Sequence, residues 1–307
     1  MTKIVDSTRR NFLTLAAVLG AVGLKPFRSF GQDQIPVRKI PGSLESLPVI
    51  GLGSSKAVAE IAAKGTEPLA AVLRMLVDYG GSVIDTWPRD AKNEEEVGKV
   101  LADSYLNEKL FVTTKVDQRG KEAGLAQFRL TQRLYEKEII DLAQVFSLID
   151  LDTQWSTLQD LKAAGDARFI GVTVSQYELY PDLENFLTKE KPDFIQLNYS
   201  ITERRAEEKL LPMAQDLGIA VLINRPFMNG AYFRKLEGRV VPEWAAEFDC
   251  ESWAQFSLKY ILAHPAVTCI LTETSNPKHM QENVLTAFGR YPDMMAREQM
   301  RTLINSV

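Results

Sequence analysis

Residues 169–199 read FIGVTVSQYELYPDLENFLTKEKPDFIQLNY. Phe169–Val174 and Phe194–Tyr199 are short runs of apolar and β-branched residues bounded by turn signals, and Tyr180–Lys189 between them carries an amphipathic helical pattern. A buried strand, a helix and a second buried strand in about 30 residues make a βαβ unit, whose two strands must lie parallel. The same alternation extends in both directions, from Pro48 to Gly289. Further strands are expected at Val49–Gly53, Ser82–Thr86, Leu110–Val116, Leu142–Ile149, Ala220–Asn224 and Thr268–Thr272. Helices are expected near Pro68–Tyr79, Asn93–Ser104, Lys121–Glu138, Gln154–Ala163, Glu207–Leu217, Ser252–Leu262 and Pro277–Ala287.

A strand followed by a helix, repeated eight times, is the count for an α/β fold of the (β/α)8 TIM barrel type. The rival is a doubly wound open sheet, which needs a glycine-rich turn after its first strand. Gly51-Leu52-Gly53-Ser54-Ser55 lacks the third glycine of that fingerprint and the helix directly behind it. No linker divides the chain, so a single barrel domain is expected. Val37–Ser46 reads as a turn-centred cap over the barrel bottom, and Asp293–Asn305 as one more polar helix across a surface.

The composition agrees. Of 307 residues, 45% are hydrophobic and 25% charged, enough apolar side chain for a large core. A formal net charge of -4 argues against a binder of nucleic-acid backbones. Two cysteines and two histidines are too few for a zinc cluster or a disulfide framework, so no metal site is expected. Cys250 and Cys269 read as two buried thiols, and His264 as a capping residue at a helix end.

The first 31 residues stand apart. Ser7-Thr8-Arg9-Arg10-Asn11-Phe12-Leu13 precedes a modest apolar run to Leu24, followed by Lys25, Arg28 and a small-x-small site at Ser29-Phe30-Gly31. The run falls short of the ~20 residues that span a bilayer. Residues 1–31 thus read as a twin-arginine signal peptide and 32–307 as the barrel, with export to the periplasm in folded form and no membrane span after signal removal. An amphipathic cap helix is the alternative for this segment.

In a barrel of this kind chemistry sits at the C-terminal strand tips. Asp85 ends the second expected barrel strand and Lys115 the third, so the two should meet in the mouth, as a structural ion pair or as a catalytic one. Trp87, at a strand tip, is a candidate for the pocket wall.

Several phrases, in order and without large gaps from about Ile40 to Arg290, resemble the aldo/keto reductase superfamily. They include Gly80-Gly81-Ser82-Val83-Ile84-Asp85-Thr86, Glu94-Glu95-Glu96-Val97-Gly98, Phe111-Val112-Thr113-Thr114-Lys115, Gln196-Leu197-Asn198-Tyr199-Ser200 and Asn224-Arg225-Pro226-Phe227. The leader and the Trp244-Ala245-Ala246-Glu247-Phe248-Asp249-Cys250 phrase are similar to those of exported members. The resemblance implies a nicotinamide cofactor, NADP or NAD, and a small carbonyl compound as substrate or ligand. It also implies a catalytic Asp, Tyr, Lys and His set, in which Tyr donates the proton.

Asp85 and Lys115 fall on the Asp and Lys of that set. Asp90 stands where the Tyr belongs, and Phe146 replaces the His and joins Trp87 in the substrate pocket. Cofactor contacts carried over from the resemblance are Thr173, Gln196, Asn224, Arg225, Pro226, Phe227, Thr274, His279, Glu282 and Asn283. Gln196 corresponds to the residue that holds the nicotinamide carboxamide, and Glu273 stands where some members grip the NADP 2′-phosphate with a Lys. Two functions follow. One is an NAD(P)-dependent aldo/keto oxidoreductase impaired by loss of Tyr and His; the other is a non-catalytic nucleotide- or ligand-binding relative in the periplasm, a pseudoenzyme. A Schiff-base role for Lys115 is a third, more remote possibility.

Overall fold

The computed structural model describes residues 34–87 and 91–307. The leader and Asp90 lie outside the described residues, so the expectations placed on them rest on sequence alone.

Among the described residues there are ten strands: β1 (Val37–Lys39), β2 (Ser46–Pro48), β3 (Ile50–Gly53), β4 (Val83–Asp85), β5 (Phe111–Val116), β6 (Ile140–Phe146), β7 (Ala167–Thr173), β8 (Phe194–Asn198), β9 (Ala220–Asn224) and β10 (Cys269–Glu273). β3 to β10 run parallel, each beside the next in sequence, and β10 closes onto β3. The principal helices are α1 (Glu67–Asp78), α2 (Ala91–Leu101), α3 (Lys121–Leu134), α4 (Leu151–Ala163), α5 (Tyr180–Leu187), α6 (Leu210–Leu217), α7 (Trp253–Leu262) and α8 (Pro277–Leu285), one after each barrel strand. α9 (Met294–Asn305) follows. This is the (β/α)8 barrel that the alternation predicts.

The opening βαβ stretch shows how sequence becomes wall. β7 is buried at every position from Phe169 to Thr173, as a strand covered on both faces must be. A Cβ at Gly171 would lie 2.4 Å from the Phe194 carbonyl oxygen, so only glycine lets β7 and β8 approach this closely. α5 turns Tyr180, Leu183, Phe186 and Leu187 inward, the spacing of one helical face.

Most boundaries agree to within a few residues. β6 ends at Phe146 rather than Ile149, because Ser147 and Leu148 adopt left-handed backbone angles that a strand cannot continue. β1 and β2 form an antiparallel hairpin, Val37 opposite Pro48, over the barrel bottom. Ile40 and Leu47 from this cap join Phe111, Phe169 and Phe194 in the lower interior, where the three rings meet with centroids 5.5–6.2 Å apart. Arg38 reaches from the cap to the His264 carbonyl at 3.1 Å. The bottom is packed shut, which leaves the C-terminal end of the strands as the open face. Among the described residues no helix is long and apolar enough to cross a membrane.

Candidate active site

Strand register brings the polar tips into one layer. Asp85 pairs with Thr113, Lys115 with Gln144, Phe146 with Thr173, and Thr173 with Gln196. Asp85, Lys115, Phe146, Thr173 and Gln196 each come from a different strand, yet together they line a cavity of about 1040 Å³ at the barrel mouth.

Asp85 is the hub of its floor. Its Oδ1 accepts hydrogen bonds from Lys115 Nζ at 2.6 Å and Thr113 Oγ1 at 2.5 Å, and its Oδ2 accepts one from Gln196 Nε2 at 3.1 Å. Gln144 Nε2 in turn donates to Gln196 Oε1 at 2.9 Å. Lys115 Nζ also donates to the Thr86 carbonyl at 2.9 Å. Asp85 is 9% exposed and Lys115 5% exposed, so the charges are largely out of water but still border the cavity. A buried ion pair is tolerated only when further hydrogen bonds satisfy it, and here they do. The expected meeting of Asp85 and Lys115 is observed. Gln196 is already engaged on both ends of its amide, a link the strand-tip reading does not anticipate.

Above this floor, Trp87 and Phe146 stack with ring centroids 4.1 Å apart. Trp87 Nε1 donates to Asp117 Oδ2 at 3.1 Å, which fixes the indole. Both rings line the cavity.

The opposite wall comes from the β9 tip and the loop after it. Asn224 Nδ2 donates to the Val174 carbonyl at 3.0 Å, and Arg225 Nη1 to the Ser175 carbonyl at 2.8 Å. Arg225 sits at φ +53°, as do Met228 and Asn229 close to that value, so this loop is held by a tight series of left-handed turns. Asn224 Oδ1 and Arg225 Nε are buried polar atoms with no protein partner. Such atoms on a cavity wall are where a ligand's donors and acceptors dock. Pro226, Phe227 and Thr173 line the same space.

The far end of the cavity is the start of α8. Thr274 Oγ1 accepts the Asn276 N–H at 3.0 Å, Asn276 Oδ1 caps the helix by accepting the Lys278 N–H at 3.0 Å, and Pro277 occupies the first turn. The cap uses one of the N–H groups that the sequence leaves free for an anion. Thr274, His279, Glu282 and Asn283 line the cavity here, with exposed Glu273 at its lip.

Every cavity residue expected from sequence, apart from Asp90, therefore lies on one continuous surface. The sequence reading misses Thr113, Gln144, Lys56 and Ser252. Polar residues inside buried strands are the signal for the first two. Ser252, the N-cap of α7, donates to Glu282 Oε1 across the cavity end, and no local pattern announces that contact. Cys250 and Cys269 are both free and buried, as expected. His264 Nδ1 accepts the Ala266 N–H at 3.2 Å, the turn-capping role expected of it.

Comparison with known proteins agrees with this layout. A family model described as "Aldo/keto reductase family" matches residues 49–298. The chain is 27% identical over 192 residues to the aldo-keto reductase YhdN of Bacillus subtilis (strain 168), an alignment covering 58% of this chain and 56% of that one, about half of each. It is 23% identical over 282 residues to the uncharacterized oxidoreductase YqkF of the same organism, covering 78% and 88%. Among solved structures, an aldo-keto reductase from Klebsiella pneumoniae in complex with NADPH superposes with a TM-score of 0.72 at 21% identity, covering 89% of this chain and 95% of that one. With the barrel, its open mouth and a family match spanning nearly all of it, the chain belongs to the aldo/keto reductase family.

Proposed function

We propose that this protein is a nicotinamide-dependent oxidoreductase for a small carbonyl compound, slowed by the absence of the usual proton donor. The observation that carries the reading is the hydrogen-bonded row Lys115, Asp85 and Gln196 at the cavity floor, backed by buried Gln144. The cavity suits a dinucleotide in size, and Asn224 Oδ1 and Arg225 Nε offer unsatisfied polar atoms along its wall. The NADPH complex of the Klebsiella pneumoniae neighbour supports the cofactor class. Thr173, Gln196, Asn224, Arg225, Pro226, Phe227, Thr274, His279, Glu282 and Asn283 would hold NADP or NAD, which when bound supplies the hydride.

Lys115 would place its positive charge near the substrate oxygen, where negative charge develops as a carbonyl is reduced. Asp85 fixes the Lys115 ammonium by accepting a hydrogen bond from it at 2.6 Å. At the donor position the sequence has Asp90, and an ionised carboxylate accepts hydrogen bonds rather than giving a proton. At the orienting position Phe146 has no hydrogen-bonding group at all. Loss of a positioned general acid slows such chemistry by about 10²–10⁴-fold.

The stack of Phe146 on Trp87 favours a second reading, a pseudoenzyme that binds a nucleotide or carbonyl ligand without turning it over. NADPH fluorescence titration, followed by NADPH-dependent reduction of an aromatic aldehyde by the wild type and by Lys115→Met, separates the two. Binding with slow turnover that Lys115→Met abolishes supports the oxidoreductase; binding without turnover supports the second reading. Absence of dinucleotide binding overturns the assignment of the cavity. The Arg9-Arg10 leader supports export of the folded protein to the periplasm by the twin-arginine route.

A further inference from the structure

The hydroxyl of Ser252 makes two hydrogen bonds that fix where its proton points. Its Oγ accepts the Gln255 N–H at 3.2 Å as the N-cap of α7. Its O–H is left to donate, and it donates to Glu282 Oε1 on α8. The cap is braced in turn, because Gln255 Oε1 accepts the Glu251 N–H at 2.6 Å. One oxygen of Glu282 is thereby tied to the start of a capped helix. The other, Oε2, has no hydrogen-bond donor among the described residues, and Glu282 lines the cavity. The surroundings are those of a flat ring. Trp253 also lines this end, its indole held by a 2.9 Å hydrogen bond from Nε1 to the Arg239 carbonyl and by an edge contact with Phe256 at 5.3 Å. Asn283, next to Glu282, is 4% exposed and borders the same space. A carboxylate only accepts hydrogen bonds, and it repels a phosphate. This end therefore suits a planar ring that offers an amino group.

We propose that Ser252 is a positioning residue that acts through Glu282 and makes the cavity select adenine over hypoxanthine in a bound dinucleotide. The two bases differ along one edge. Adenine offers an exocyclic amino group beside a bare ring nitrogen; hypoxanthine offers a carbonyl oxygen beside a ring N–H. Toward the amino group, Oε2 of Glu282 accepts a hydrogen bond. Toward the carbonyl it meets a second acceptor, and the two repel. An untethered carboxylate could escape by swinging to the neighbouring ring N–H. With Oε1 held by Ser252, Glu282 makes that move only by giving up a charge-assisted hydrogen bond, so the wrong base is rejected. Selectivity then resides in a residue of α7 that need not touch the base. The inference rests on the nicotinamide dinucleotide proposed above, and its test keeps the two claims apart.

Fluorescence titration with NADPH and with its deamino analogue, in which hypoxanthine replaces adenine, tests this. The wild type should bind NADPH about tenfold more tightly than the analogue. Ser252→Ala should bring the two affinities to within about threefold of each other, while Ser252→Thr, which keeps the hydroxyl, should preserve the preference. Ser252→Ala also removes the cap of α7, a loss that weakens both nucleotides alike and leaves their ratio where it was. Ser252→Asp separates the two roles. It caps a helix as well as serine does, yet sets a second carboxylate against Glu282, so thermal unfolding should stay near wild type while the ratio falls. A wild type that binds both nucleotides equally, or a ratio unmoved in Ser252→Ala and Ser252→Asp, overturns the proposal and leaves the dinucleotide reading standing. A wild type that binds neither overturns the dinucleotide reading, and the proposal with it.

Discussion

Trp87 and Phe146 lie face to face at the barrel mouth, ring planes 25° apart, one from the tip of β4 and the other from the end of β6. The pair presents apolar surface to the cavity directly above the Asp85–Lys115 ion pair. An offset stack of this kind holds about 0.5–1.5 kcal/mol beyond its burial, so the rings define a stable wall and not a passing contact.

On the proposed function, supplying a Tyr and a His at positions 90 and 146 should raise turnover. Asp90→Tyr combined with Phe146→His should raise NADPH-dependent reduction of a simple aromatic aldehyde by about 100-fold or more over wild type. Steady-state turnover measures this. A double variant that folds, binds NADPH and gains nothing places the proton donor elsewhere.

Glu273 ends β10 at the cavity lip, exposed and beside the Thr274 turn. Replacing it with Lys reverses the charge offered to a 2′-phosphate. Glu273→Lys should tighten NADPH relative to NADH by about 1–2 kcal/mol, read by fluorescence titration of both. Equal gains for the two cofactors would put Glu273 away from the 2′-position.

His264 makes acid stability testable. Burial, and then the nearby positive charge of Arg297, push its imidazole down to about 4 from the usual 6.5, with Arg38 adding to the fall and Glu207 opposing it. As pH drops from 6.5 toward 4, the unfolded chain takes up a proton that the native state refuses, so stability falls through that window. Thermal unfolding of His264→Gln should therefore lose less between pH 7 and pH 5 than the wild type loses. A parallel decline in both would remove His264 as the cause.

Export should depend on the paired arginines of the leader. Replacing Arg9 and Arg10 by Lys should leave the full-length chain in the cytoplasm, detected by fractionation and by the uncleaved mass. Unchanged export would show that the leader is of another kind.

The barrel was legible because its evidence is local. A buried parallel strand needs an unbroken apolar run, and an outer helix needs one apolar face; both periods are written in neighbouring residues. The strand-tip rule then singles out Asp85 and Lys115, since a polar side chain at the end of such a run has only the mouth to face; Gln196 and Asn224 come from the resemblance. Resemblance of short phrases names Arg225, Pro226, Phe227, Thr274, His279, Glu282 and Asn283 as expected cofactor contacts, and all of them line the cavity.

What the chain pattern leaves open is decided by contacts between residues far apart in sequence. Helix phase alone chooses Glu94 over Glu95 and Glu96 for the interior, and only the packing of α2 on α3 through Gly98 fixes that phase. Strand register brings Gln144 to Gln196 and Gln196 to Asp85, and register follows from closure of the whole barrel. The sequence by itself determined that this is a barrel of the aldo/keto reductase kind with Asp85 and Lys115 at neighbouring strand tips. The tertiary structure alone decided which acids are buried, which amides are already bonded and that Trp87 covers Phe146, because hydrogen bonds and burial depend on distances in space that no spacing along the chain encodes.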